Sequence, residues 1–136
     1  MKRPIPMVLF ALWLIALLVL TLLLYPQRHP APNLIPFRSI ARDSRIGSDE
    51  FTINFIGNLV AFVPLGWLLP WLRPGRTSLR TTIVTAALLS ASIEVAQYVS
   101  GRRVADVDDV ILNASGAAIG YAIAITRRSK AEKRLD

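Results

Sequence analysis

The chain has 136 residues, 53% of them hydrophobic and 18% charged, with 16 Lys and Arg against 9 Asp and Glu and no cysteine. Its apolar residues gather in four blocks, 7–25, 51–72, 81–100 and 110–126, and the longest stretch between them is too short to fold as a soluble domain, which excludes a membrane-tethered soluble enzyme. The lack of cysteine excludes disulfides, Cys-ligated zinc and thiol catalysis.

Block 7–25 has Thr21 as its one clearly polar residue and is long enough to cross a hydrocarbon core. Lys2 and Arg3 precede it as they would in a signal peptide, but no small-x-small cleavage site follows. It therefore reads as an uncleaved, lipid-facing signal anchor. The stretch 26–50 contains Pro26, Pro30, Pro32 and Pro36, which predicts an extended segment poor in helix. Within it, Ile35, Phe37 and Ile40 are expected in the headgroup zone. His29 stands alone among prolines and is not assigned as a ligand or a base.

Block 51–72 carries Asn54 and Asn58 four residues apart, on one helix face, together with Gly57, Pro64, Gly66 and Pro70. Pro64 predicts a kink and a freed carbonyl near Val60. The plain role for Asn58 is interhelical hydrogen bonding. Block 81–100 holds Glu94 and Gln97, neighbours on one face. Glu94 lies about 9 Å in from the end of the block at 1.5 Å per residue. A carboxylate at that depth costs several kcal/mol unless paired, hydrated or protonated, and by default marks a functional site.

The connection 101–109 brings Arg102, Arg103, Asp106, Asp108 and Asp109 to the start of the last block, which borrows from Val107 to reach spanning length, giving 107–126. On a helix beginning near Asp106, the residues Asp106, Asp109, Asn113, Gly116 and Gly120 form one stripe at spacings of three and four. The Gly-x-x-x-Gly pair predicts close helix contact on that stripe. Asp108 points elsewhere, to water or to the helix N-terminus, and capping is the plain alternative for Asp106. Glu94, Gln97, Arg103, Asp106, Asp109 and Asn113 are expected to converge in an interfacial pocket, where Arg103 offsets like-charge repulsion and can bind phosphate or carboxylate.

With the N-terminus inside, ten Lys and Arg fall on inner segments and six on outer ones. That places both termini in the cytoplasm and the segments 26–50 and 101–106 outside. The basic surplus is then a topology signal and an attraction for anionic lipid; no nucleic-acid motif competes. The expected fold is all-α, a single membrane domain over 1–136 built as an integral bundle of four transmembrane helices.

Three segments in order, Asn33-Leu-Ile-Pro-Phe37, then Asn58-Leu-Val-Ala-Phe-Val-Pro64-Leu-Gly66, then Ile93-Glu94-x-x-Gln97 with Arg103-x-x-Asp106-x-x-Asp109-x-x-x-Asn113-x-x-Gly116-x-x-x-Gly120, resemble the VanZ-like family. The resemblance runs from about Asn33 to Tyr121. It implies a small multi-pass protein of the bacterial cytoplasmic membrane, in a family whose name-giving member is linked to low-level teicoplanin resistance. It also implies a shared role for Asn33, Pro36, Asn58, Phe62, Pro64, Gly66, Glu94, Gln97, Arg103, Asp106, Asp109 and Asn113.

The favoured reading is a non-enzymatic factor that recognises, shields or moves the headgroup of an envelope lipid, such as a lipid-linked wall precursor, at the outer leaflet. Asn33, Phe37, Asn58, Glu94, Gln97, Arg103, Asp106, Asp109 and Asn113 are its candidate ligand-binding residues. The alternative is a membrane enzyme on a phosphorylated lipid, with Glu94, Asp106 and Asp109 as catalytic candidates or as ligands of a divalent cation. A purely structural bundle or transport helper is the third reading.

Overall fold

The computed structural model describes residues 4–24, 32–46, 49–101 and 105–132. Its helices are α1 (Pro4–Val19), α2 (Arg38–Ile46), α3 (Asp49–Ala61), α4 (Val63–Leu72), α5 (Leu79–Val99) and α6 (Val107–Glu132). Four stretches are long and apolar enough to cross a membrane: Pro4–Leu22, Phe51–Leu72, Leu79–Val99 and Val107–Arg127. The fold is an all-α bundle of a multi-pass membrane protein. Among the described residues there is no strand, only an isolated parallel bridge between Asn33 and Asp106.

The bundle is organised around α6, which packs on α4, α5 and α3, while α1 lies mainly against α4. Glycine explains the closeness. A Cβ on Gly116 would collide with the Leu59 carbonyl, one on Gly120 with the Val63 carbonyl, and one on Gly66 with the Ala117 carbonyl. Backbones therefore touch where Gly116 and Gly120 of α6 meet α3 and α4, as the Gly-x-x-x-Gly spacing predicts. Phe62, Leu65, Ala86, Ile93, Ala117 and Leu17 fill the space between the helices. Ile5, Val8, Leu12, Ile15 and Val19 of α1 and Leu88, Val95 and Val99 of α5 are exposed, as lipid-facing residues should be.

Two spans are interrupted. Phe62 separates α3 from α4, with Pro64 in the first turn of α4, a position where its missing N–H costs little. The predicted kink is thus a break, and the Ala61 carbonyl at that break receives the indole N–H of Trp13 (2.8 Å). The Trp13 ring also stands edge-on to Phe62. In the first span, α1 continues into a π-helical turn, Leu20–Leu24, and the Thr21 carbonyl accepts the Gln97 side-chain amide of α5 (2.7 Å). The first span is therefore more than the lipid-facing anchor expected from its composition, because Trp13 and Thr21 tie it to the other helices.

The stretch 26–50 also departs from expectation. Its prolines end at Pro36, and the chain then forms α2 and enters α3 at Asp49. Proline disfavours helix only where it stands, and a cap for α2 comes from elsewhere in the chain. At the opposite end of the bundle, Ser78 and Thr81 form a reciprocal capping box that starts α5.

Candidate functional site

At the end of the bundle where α5 passes into α6, the chain from Asn33 to Ile46 is fastened down by acids. Backbone pairing comes first: the Asn33 N–H donates to the Ala105 carbonyl and the Val107 N–H to the Asn33 carbonyl, both at 3.0 Å. Asp106 then acts as the N-cap of α6, its Oδ1 accepting the Asp108 N–H (2.9 Å). The same carboxylate accepts Asn33 Nδ2–H (2.8 Å) and the Ser39 hydroxyl (2.5 Å). Its own backbone N–H donates to Glu94 Oε2 (2.9 Å), which links the clasp to α5.

Asp108 does not point to water or to its own helix. It is 1% exposed and accepts the backbone N–H groups of Phe37 (2.5 Å), Ser39 (2.8 Å) and Ile40 (3.2 Å). A carboxylate from α6 thereby caps α2, satisfying the orphan donors of a helix N-terminus and favouring its positive dipole end. Phe37 is held at φ 65°, a left-handed conformation unfavourable for an aromatic residue. Its side chain, with Leu34 and Ile35, is more than half exposed.

On α2 itself, Arg38, Arg42 and Arg45 follow at spacings of four and three, on one exposed face. Arg42 pairs with Asp43 at 2.8 Å, and that hydrogen bond raises its pKa above the ordinary arginine value. Ser39 is buried and Ile40 half-buried on the opposite side.

Beneath the clasp lies a small cavity of about 20 Å³, room for one water-sized particle, bordered by Thr21, Asn58, Phe62, Glu94, Gln97 and Asn113. Asn58 Nδ2 donates to Asp109 (2.5 Å), and Asn113 Nδ2 donates to Ser90 Oγ (2.7 Å). Gln97 Oε1 and Asn113 Oδ1 are buried without a hydrogen-bond partner.

The predicted site residues therefore divide. Asn33, Asp106 and the Phe37 backbone belong to the clasp; Asn58, Glu94, Gln97 and Asn113 border the cavity; Glu94 joins the two, and Asp109 reaches the cavity through Asn58. Arg103 lies outside the described residues. Glu94, Asp106 and Asp109 do not form a three-carboxylate ligand set: among the described residues no three His, Cys, Asp or Glu are grouped to hold a metal. Sequence reasoning missed Ser39 and the arginine face of α2, and it assigned Asp108 to water or to its own helix N-terminus, not to the N-terminus of α2 that it caps. The arginine spacing was present in the sequence, but the prolines before it argued against a helix.

Against known proteins, the family model described as VanZ/LLP1 matches residues 10–128. No curated protein matches the chain. No solved structure does either.

Proposed function

The chain belongs to the VanZ/LLP1 family, and from that premise we propose that it recognises the phosphate-bearing headgroup of an envelope lipid at the outer face of a bacterial cytoplasmic membrane. The observation that carries this reading is the acid-capped α2. Asp108 and Asp106 hold a short helix whose Arg38, Arg42 and Arg45 share one exposed face, beside exposed Leu34, Ile35 and Phe37. Guanidinium groups bind phosphate by paired N–H donors, and apolar tips next to cations suit the boundary between headgroup and acyl chain.

In this mechanism the acids position and the arginines bind. Asn33, Asp106, Asp108 and Glu94 fix α2 and the Leu34–Phe37 turn; the arginine face meets the lipid phosphate; Phe37 enters the acyl boundary. Shielding a lipid-linked wall precursor in this way would fit the low-level teicoplanin resistance linked to the family's name-giving member.

The test is complementation. In a strain lacking this gene, the wild type is expected to restore teicoplanin susceptibility to its parental level. The triple variant R38A/R42A/R45A, at matched membrane abundance, is expected to fail, and to retain at least roughly tenfold less phosphate-bearing lipid on purification. Full complementation and unchanged lipid retention by the triple variant would refute the proposal.

A further inference from the structure

The two interruptions of the spanning helices border the same cavity. Thr21 lies in the π-helical turn, Ala61 and Phe62 lie at the α3–α4 break, and all three line it together with Asn58, Glu94, Gln97 and Asn113. Irregular backbone at membrane depth persists where it is buried in protein or lines a cavity, and interrupted helices are a recurrent way for membrane proteins to build ion sites.

The polar surroundings of the cavity are one-sided. The Thr21 hydroxyl donates to the Leu17 carbonyl (2.7 Å), Gln97 Nε2 to the Thr21 carbonyl, Asn113 Nδ2 to Ser90 and Asn58 Nδ2 to Asp109. The Gln97 and Asn58 nitrogens thus face acceptors, while the Ser90 hydroxyl, which can accept or donate, faces the Asn113 amide. The oxygens Gln97 Oε1 and Asn113 Oδ1 have no partner, although their residues are only 1% and 7% exposed. The Gln97 orientation follows from chemistry, since the Thr21 carbonyl can only accept. Leaving two such oxygens buried and unpaired is costly. Their complement is a hydrogen-bond donor or a cation that fits about 20 Å³ and meets more than one oxygen.

We propose that this cavity binds a dehydrated monovalent metal cation, Na⁺ in size, ligated by Gln97 Oε1 and Asn113 Oδ1 with Glu94 at its edge. Hard cations take carbonyl and carboxylate oxygens. The cation would also steady the outer clasp, because Glu94 Oε2 accepts the Asp106 N–H. This site is separate from the headgroup surface: none of Arg38, Arg42 and Arg45 lines it.

The experiment melts the full-length protein in lipid nanodiscs in NaCl, KCl, LiCl or choline chloride at constant ionic strength. Na⁺ is expected to raise Tm saturably over choline, by roughly 5 °C at a tenfold excess over its Kd. Asn113→Leu is expected to abolish that increment, and Asn113→Asp, which adds a carboxylate, to tighten Na⁺ by about tenfold. If Asn113→Leu does not fold, Asn113→Asp carries the test alone. Equal melting in all four salts for both the wild type and Asn113→Asp overturns the proposal and leaves water as the occupant.

Discussion

Replacing Asp108 by Ala removes the cap of α2 without touching the seams between the spanning helices. The side chain accepts three backbone N–H groups, of which the Ser39 bond is buried and the Phe37 and Ile40 bonds are part-buried. A buried hydrogen bond to a charged acceptor is worth about 2 kcal/mol, and the two part-buried donors, which water can partly satisfy, together contribute about what a lost N-cap costs, ~1 kcal/mol. The local loss is therefore about 3 kcal/mol, or roughly 100-fold in the opening equilibrium of α2. Because α2 makes few contacts with the bundle beyond α3 and α6, that opening stays local. Hydrogen exchange of the peptide covering Arg38–Ile46, measured in nanodiscs, is the assay. Protection there should fall about 100-fold in Asp108→Ala and by less in Asp108→Asn, which keeps one acceptor oxygen, while α5 and α6 exchange as before. Unchanged protection of α2, or an equal loss across α3 to α6, would refute the capping role.

Other outcomes follow from the same contacts. Gly116→Val should prevent accumulation of folded protein, since even a Cβ there meets the Leu59 backbone and overpacking costs about 1–3 kcal/mol or more; Gly57→Ala, with nothing within 4 Å, should be neutral or stabilise α3 by up to about 1 kcal/mol, as thermal melts would record. Trp13→Phe keeps the ring packing but removes the donor to Ala61, and should lower stability by about 1 kcal/mol in melts of the purified protein. A double-mutant cycle on Asn58→Leu and Asp109→Asn should return a coupling of about 1 kcal/mol; additivity would mean the pair does not interact. Since the chain has no cysteine, Ser44→Cys should react with an impermeant maleimide from outside intact cells and Arg76→Cys should not; the reverse pattern overturns the orientation on which the headgroup proposal rests.

What was legible in the sequence follows from how far each signal reaches along the chain. Four apolar blocks near spanning length and the Gly116, Gly120 stripe are local and periodic, and the structure reproduces both. Pro64 gave its interruption because proline acts on its own helix. The clasp was half legible: Asp106 caps the helix it precedes, as acids in a first turn do, whereas Asp108 caps a helix 68 to 71 residues earlier in the chain. No spacing rule connects those positions. The same cap explains why 38–46 is helical although its own sequence opens with no capping residue and follows four prolines.

Backbone faults give the polar residues of this bundle a common logic. Inside a membrane an unpaired peptide group costs several kcal/mol, and among the described residues the helices depart from regular geometry at, among other places, the π-helical turn, the Phe62 interruption and the connection into α6. Each is met by a side chain from another helix. Gln97 takes the Thr21 carbonyl, Trp13 the Ala61 carbonyl, and Glu94 the Asp106 N–H. A polar residue in a spanning helix is therefore weak evidence for a ligand here until its backbone duty is subtracted. After that subtraction, two sets remain at this end of the bundle: the buried, unpartnered amide oxygens of Gln97 and Asn113, whose residues border the cavity, and the exposed arginine face of α2, where Arg42 also pairs with Asp43. The first set is too enclosed for a lipid and the second too open for a bare ion, so the two proposals concern different ligands and can fail independently.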